Sequence, residues 1–158
     1  MIWKLLLAIV GGLAFLIVLA LALFSVFSRR PGNLGVTNGR LAPCPDTPNC
    51  VCTESTDQQH AIEPMHYTTN AGQAMANLKA VISSFPRTKI VTTTDSYLHA
   101  EFTSAVFRYV DDVEFLVDEG TKTIHFRSAA RAGRSDFGVN RGRMESIRKA
   151  FGARERAE

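Results

Sequence analysis

The side chains best suited to chemistry lie between Arg127 and Arg148. There Arg127, Arg131, Arg134, Arg141, Arg143 and Arg148 are opposed only by Asp136 and Glu145. A guanidinium binds a carboxylate or phosphate through two parallel hydrogen bonds, so converging arginines suit an anionic small molecule or a lipid headgroup. Gly133 and Gly138 let the loop backbone approach a ligand closely, and N–H groups opening a helix at Asn140 attract an anion. Arg108, beside Asp111 and Asp112, borders the same region. The plainer reading is internal: Asp111, Asp112, Glu114 and Asp136 hold these arginines in a structural salt-bridge network. The two readings are compatible, and both stay open.

Catalysis finds less support. Asp111 and Asp112 are adjacent, so on a strand they point to opposite faces and cannot form a facing carboxylate pair. Parity sets Asp111 on the apolar face with Val113 and Phe115, where a carboxylate needs an arginine or hydroxyl partner or takes a raised pKa. His125 opposite Glu114 is half of a general-base arrangement, but no serine or cysteine nucleophile is set beside it. The chain carries no Walker loop, dinucleotide fingerprint or His-Glu-x-x-His, so no cofactor, no metal and no catalytic residue is assigned.

These residues depend on the elements that carry them. Residues 107–118 alternate apolar and polar, Glu119-Gly120 marks a two-residue turn, and residues 122–129 alternate again. That turn sets Phe115 opposite Ile124 and Val113 opposite Phe126 on one face. On the other it sets Asp112 opposite Arg127 and Glu114 opposite His125. Upstream, Asn70 caps a helix with Gln73 three residues on, a capping-box pattern. Ala71, Ala74, Met75, Leu78, Val81, Ile82 and Phe85 share one helical face, and Pro86 ends the helix. Residues 89–94 and 97–104 read as strands. A closing helix from Asn140 to Phe151 offers Met144, Ile147, Ala150 and Phe151 and stops at Gly152. Short connections favour a meander. The expected fold is α+β: an N-terminal transmembrane helix, then a two-layer domain with a four-stranded antiparallel sheet and both helices on one face.

The apolar residues concentrate at the N-terminus, where Leu5 to Phe27 carries no charge and is long enough to cross a hydrocarbon core of roughly 30 Å. Trp3 and Lys4 precede this run, and Arg29, Arg30 and Pro31 follow it, so basic residues nearly tie across the span. A cleaved signal peptide is the alternative, with Ala20-Leu21-Ala22 as its small-residue site. The expected division is an anchor over 1–30, a Pro/Cys-rich linker and loop over 31–52, a soluble domain over 53–152 and a charged tail over 153–158. A Cys44–Cys50 disulfide would close a small ring in PCPDTPNCVC, which requires an oxidising compartment and leaves Cys52 as the odd thiol; reduced or buried thiols are the alternative. Metal binding with His60 or His66 is the weaker reading, as is redox chemistry, since Cys50-Val51-Cys52 lacks the Cys-x-x-Cys spacing. The net charge of +3 is too slight to point to nucleic acid.

In PCPDTPNC, FRYVDDVEF and HFRSAARAGRSDFGVNRGR the chain resembles the family catalogued as domain of unknown function 1499. The resemblance spans roughly residues 40 to 150. It implies a small envelope-associated domain of bacteria, with relatives in plastids and no established activity. Cys52 departs from the small polar residue expected after the second signature cysteine. The resulting expectation is a noncatalytic domain of the bacterial inner membrane, single-pass and on the periplasmic side. Its partners would be the bilayer, through residues 5–27, and an anionic ligand, lipid headgroup or protein at the arginine loop. An envelope enzyme using Asp111 with an arginine electrophile is the rival; a structural assembly component is a third reading.

Overall fold

The computed structural model describes residues 2–26 and 28–157. Met1, Phe27, the far end of the expected span, and Glu158, the end of the expected tail, lie outside the described residues. The N-terminal helix α1, Ile2–Val26, is long and apolar enough to cross a membrane by length and composition, a test that a signal sequence also passes. The chain continues through β1 (Val36–Thr37), β2 (Arg40–Leu41), β3 (Cys50–Cys52) and β4 (Met65–His66) to α2 (Ala71–Ser84). Then come β5 (Thr88–Thr93), β6 (Tyr97–Thr103), β7 (Val110–Asp118), β8 (Thr123–Ala130) and α3 (Val139–Glu155).

The four expected strands form the antiparallel run β5-β6-β7-β8, but the sheet has six strands rather than four. The short strands β3 and β4 both pair antiparallel with β8 along its free edge, opposite residues 127–129 and 123–124. Unpaired, that edge would leave a row of backbone N–H and C=O groups without partners. The disulfide ring and the polar segment after it supply those partners from far away in sequence.

The β7–β8 register lies two residues from the expected one. Phe115 faces Phe126, Val113 faces Ser128, Glu114 faces Arg127 and Leu116 faces His125. The cause is the turn. Asp118 accepts hydrogen bonds from the backbone N–H of Gly120 and Thr121 and from the Thr121 hydroxyl, at 2.9, 3.3 and 2.7 Å. This side-chain mimicry of a turn closes a loop of Glu119, Gly120, Thr121 and Lys122, and Lys122, at φ 55°, takes the left-handed position. A slide of two residues preserves the faces, so Val113, Phe115, Ile124 and Phe126 stay together in the core.

That face packs on both helices, as expected. α2 contributes Ala74, Met75, Leu78, Val81 and Ile82, and α3 contributes Met144, Ile147 and Phe151. The Asn70 side chain accepts from the Gln73 N–H at 2.9 Å, which starts α2 where the capping pattern placed it. α3 runs past Gly152, because Arg154 and Glu155 are held by Asn77, each through a 2.8 Å hydrogen bond. The opposite, polar face is covered as well. Residues 30–41 cross it, with Leu41 buried, Gly35 N–H donating to Glu114 at 2.7 Å and Arg30 paired with Glu101.

Candidate functional site

The site loops meet at one end of the sheet, where residues 104–109 join β6 to β7 and residues 131–138 join β8 to α3. Asn49 stitches this end together. Its carbonyl accepts from Ala130 N–H and from Asn140 Nδ2, both at 3.0 Å, and its own amide donates to the Gly133 carbonyl at 2.7 Å. The Cys44–Cys50 disulfide, formed as expected, holds the chain beside Asn49. Cys52 is a buried free thiol whose pKa is pushed up, chiefly by burial, which leaves it a poor nucleophile near neutral pH. His60, weighed as a thiol's co-ligand, instead pairs with Asp57 at 2.8 Å.

The candidate arginines do not converge. Arg131 lies on the linker-covered face and grips Asp112 with two hydrogen bonds, at 2.7 and 2.6 Å, while its Nη2 reaches Glu101 at 2.6 Å. His99 Nε2 adds a third contact to Asp112 at 2.7 Å. Burial pushes Asp112 upward, but the bonds from Arg131 and His99 outweigh it and hold the carboxyl below its ordinary range. On the same face Arg127 Nη1 donates to Glu114 at 3.1 Å, and Tyr97 OH donates to the other Glu114 oxygen at 2.8 Å. The expected Asp112–Arg127 and Glu114–His125 pairs are therefore not made. The register shift gives Arg127 to Glu114, and His125 lies against the Thr53 hydroxyl.

Across the sheet, on the helix face, Arg143 donates through Nη2 to Asp111 and through Nη1 to Asn140 Oδ1 at 2.6 Å, and it stacks over the Phe102 ring at 4.9 Å. Ser128 Oγ also donates to Asn140 Oδ1. Asp111 thus has the arginine partner its face required, supplied by α3 and not by the hairpin. Burial raises its pKa, and Arg143 pulls the other way. Arg141 donates to the carbonyls of Gln59 and Ala61 at 3.0 and 2.9 Å. Arg108, at φ 59°, and Arg134 are exposed.

The helix opening expected to attract an anion is already filled. Asp136 accepts from Gly138 N–H at 3.1 Å and Asn140 N–H at 2.7 Å, so a carboxylate of this chain caps α3. Asp136 therefore acts on the backbone and not on the arginines.

What the loops do enclose is a cleft of about 490 Å³ walled by Phe107, Tyr109, Ala132, Phe137 and Val139, with Asp111 and Asp136 among its lining residues. Gly133 and Gly138 take left-handed conformations, at φ 83° and 80°, in the turns that shape its wall. Phe137 is 97% exposed and is held at φ 55°, which is disfavoured for an aromatic residue. Val106 and Val139, 78% and 53% exposed, extend the apolar rim. The sequence reading missed Asn49, Phe137, Phe107 and Tyr109 as parts of a site. A lone aromatic inside the polar run GRSDFG was the available sign for Phe137.

Neither the curated proteins nor the solved structures give a match to this chain. The model of one family, described as protein of unknown function (DUF1499), covers residues 40–151, from β2 through both site loops and most of α3. The chain belongs to that family of unknown function, DUF1499.

Proposed function

We propose that this chain is a noncatalytic domain tethered to the bacterial inner membrane by α1. Its sheet end, with loops 104–109 and 131–138, faces the lipid headgroups. The carrying observation is the exposed apolar rim of Val106, Phe137 and Val139 at the end from which the N-terminal segment arrives. That segment can be followed by its contacts. Gly35 touches Glu114, and Arg30 touches Glu101, two rungs nearer the loop end. Continuing back toward α1 therefore leads to the rim. Exposed apolar side chains beside arginines suit the membrane interface, and Arg108 and Arg134 each contribute about 1 kcal/mol near an anionic surface. The Cys44–Cys50 bond fits an oxidising compartment, hence the periplasmic side.

The test uses the full chain in anionic vesicles, with an environment-sensitive dye on Phe137→Cys or on Thr121→Cys at the opposite end of the sheet. A blue shift and quenching by nitroxide lipids at 137 but not at 121 support the reading. Equal, water-like emission at both positions refutes it.

A second reading has one observation behind it: Asp111, with its raised pKa, lies between Arg143 and the open cleft. An envelope enzyme would use Asp111 as acid or base and Arg143 as electrophile. Hydrolysis of an ester panel that disappears in Asp111→Asn, with folding retained, would favour it over the noncatalytic reading.

A further inference from the structure

We infer that the cleft between the 104–109 and 131–138 loops takes one acyl chain of a membrane lipid. This rests on the bilayer-facing reading and deepens it, turning a surface that touches lipid into a site that holds one lipid. The first support is the lining. Phe107, Tyr109, Ala132 and Val139 form its walls, and its volume of about 490 Å³ is that of a ligand cleft.

Charge gives the second support. The charged lining groups among the described residues, Asp111 and Asp136, are already engaged, Asp111 by Arg143 and Asp136 by two backbone N–H groups of the α3 opening. Both carboxylates repel an anionic ligand group in the cleft, whereas an apolar chain leaves their bonds to Arg143 and the N–H groups intact. The third support is continuity. Phe137 belongs to the cleft lining and also projects almost fully into the surroundings, so one apolar surface runs from the outer tip to the interior. A chain can follow it from the hydrocarbon region into the cleft with little exposure to water. Arg108 and Arg134 are exposed and flank lining residues in sequence, placed for the anionic head of that same lipid.

The experiment places the full chain in nanodiscs. One arm carries an anionic phospholipid with a photoreactive group at the end of one chain, the other a free fatty acid with the same group. Labelled positions are read by mass spectrometry. Label on Tyr109 or Ala132 supports the inference, and the arm that gives it identifies a phospholipid or a free acid. Label confined to α1 and to the tips Val106 and Phe137 overturns the inference while leaving the bilayer-facing reading intact. Label on α1 alone also overturns the inference, and the dye at Phe137→Cys then decides the bilayer-facing reading separately. Ala132→Trp, which fills the cleft, is expected to lower Tyr109 labelling about tenfold without changing labelling of Phe137. Val139→Trp, which narrows the mouth from a half-exposed position, is expected to do the same. Tyr109 labelling unchanged in both variants overturns the inference.

Discussion

Replacing Arg131 by methionine separates a structural arginine from a ligand-binding one. Arg131 keeps much of its packing in this variant but loses its charge, leaving Asp112, 1% exposed, with His99 alone. Removing one partner of a buried pair costs about 3–5 kcal/mol, because the remaining charge is desolvated without compensation. The Asp112 and Arg131 side chains are 1% and 8% exposed, so solvent screening offsets little of this. With a urea slope of roughly 2 kcal/mol/M, the unfolding midpoint of the full chain in mild detergent should fall by about 2 M. Asp112→Asn in the same background removes the orphaned charge and should restore part of the loss. The pH dependence has a definite sign. Arg131 and His99 depress the folded pKa of Asp112. Its contribution is therefore full above the unfolded aspartate value of about 3.9 and is lost as pH falls through the folded value. The gap between native and Arg131→Met should narrow below about pH 4. An Arg131→Met midpoint within about 0.3 M of native at pH 7, together with weakened binding to anionic vesicles, would refute the structural assignment and return Arg131 to the ligand surface.

Asn49→Ala removes the amide that holds the Gly133 carbonyl and the oxygen that accepts from Thr47. Two part-buried hydrogen bonds predict a loss of about 2 kcal/mol, with hydrogen exchange rising first in residues 131–139 and not in α2. Opening the ring with Cys44→Ser and Cys50→Ser should cost about 2 kcal/mol from loop entropy and lower the thermal midpoint, checked against the native chain under reducing conditions. Phe137→Ser, at a site where nothing is buried, should change stability by less than about 0.5 kcal/mol while weakening vesicle contact, read by the dye placed at Val106→Cys.

Local patterns carried much of this fold. Asn70 and Gln73 marked the start of α2, the stripe from Ala74 to Ile82 marked its buried face, and alternation marked β6, β7 and β8. Alternation also set Asp111 toward the helices and Asp112 away from them. The six-residue separation of Cys44 and Cys50 was enough to suggest the ring. The pairing of rungs was not legible, because a slide of two residues leaves every face unchanged and alternation cannot detect it. A hydrogen bond from Gly120 to Asp118 decided it.

The sequence by itself determined what depends on neighbours along the chain: the apolar N-terminal helix, the N-cap of α2 and the periods, and it suggested the small disulfide ring. Tertiary structure alone decided that β3 and β4 complete the edge of β8, and that Arg127 and Arg131 turn to one side of the sheet while Arg143 turns to the other. It also decided that the arginine loop encloses an apolar cleft in place of a basic one. The reason is reach. A guanidinium swings on a long flexible stem and takes whichever carboxylate the folded chain brings closest. That carboxylate lies on another strand or helix, whose distance is set by the completed fold and not by spacing in the sequence.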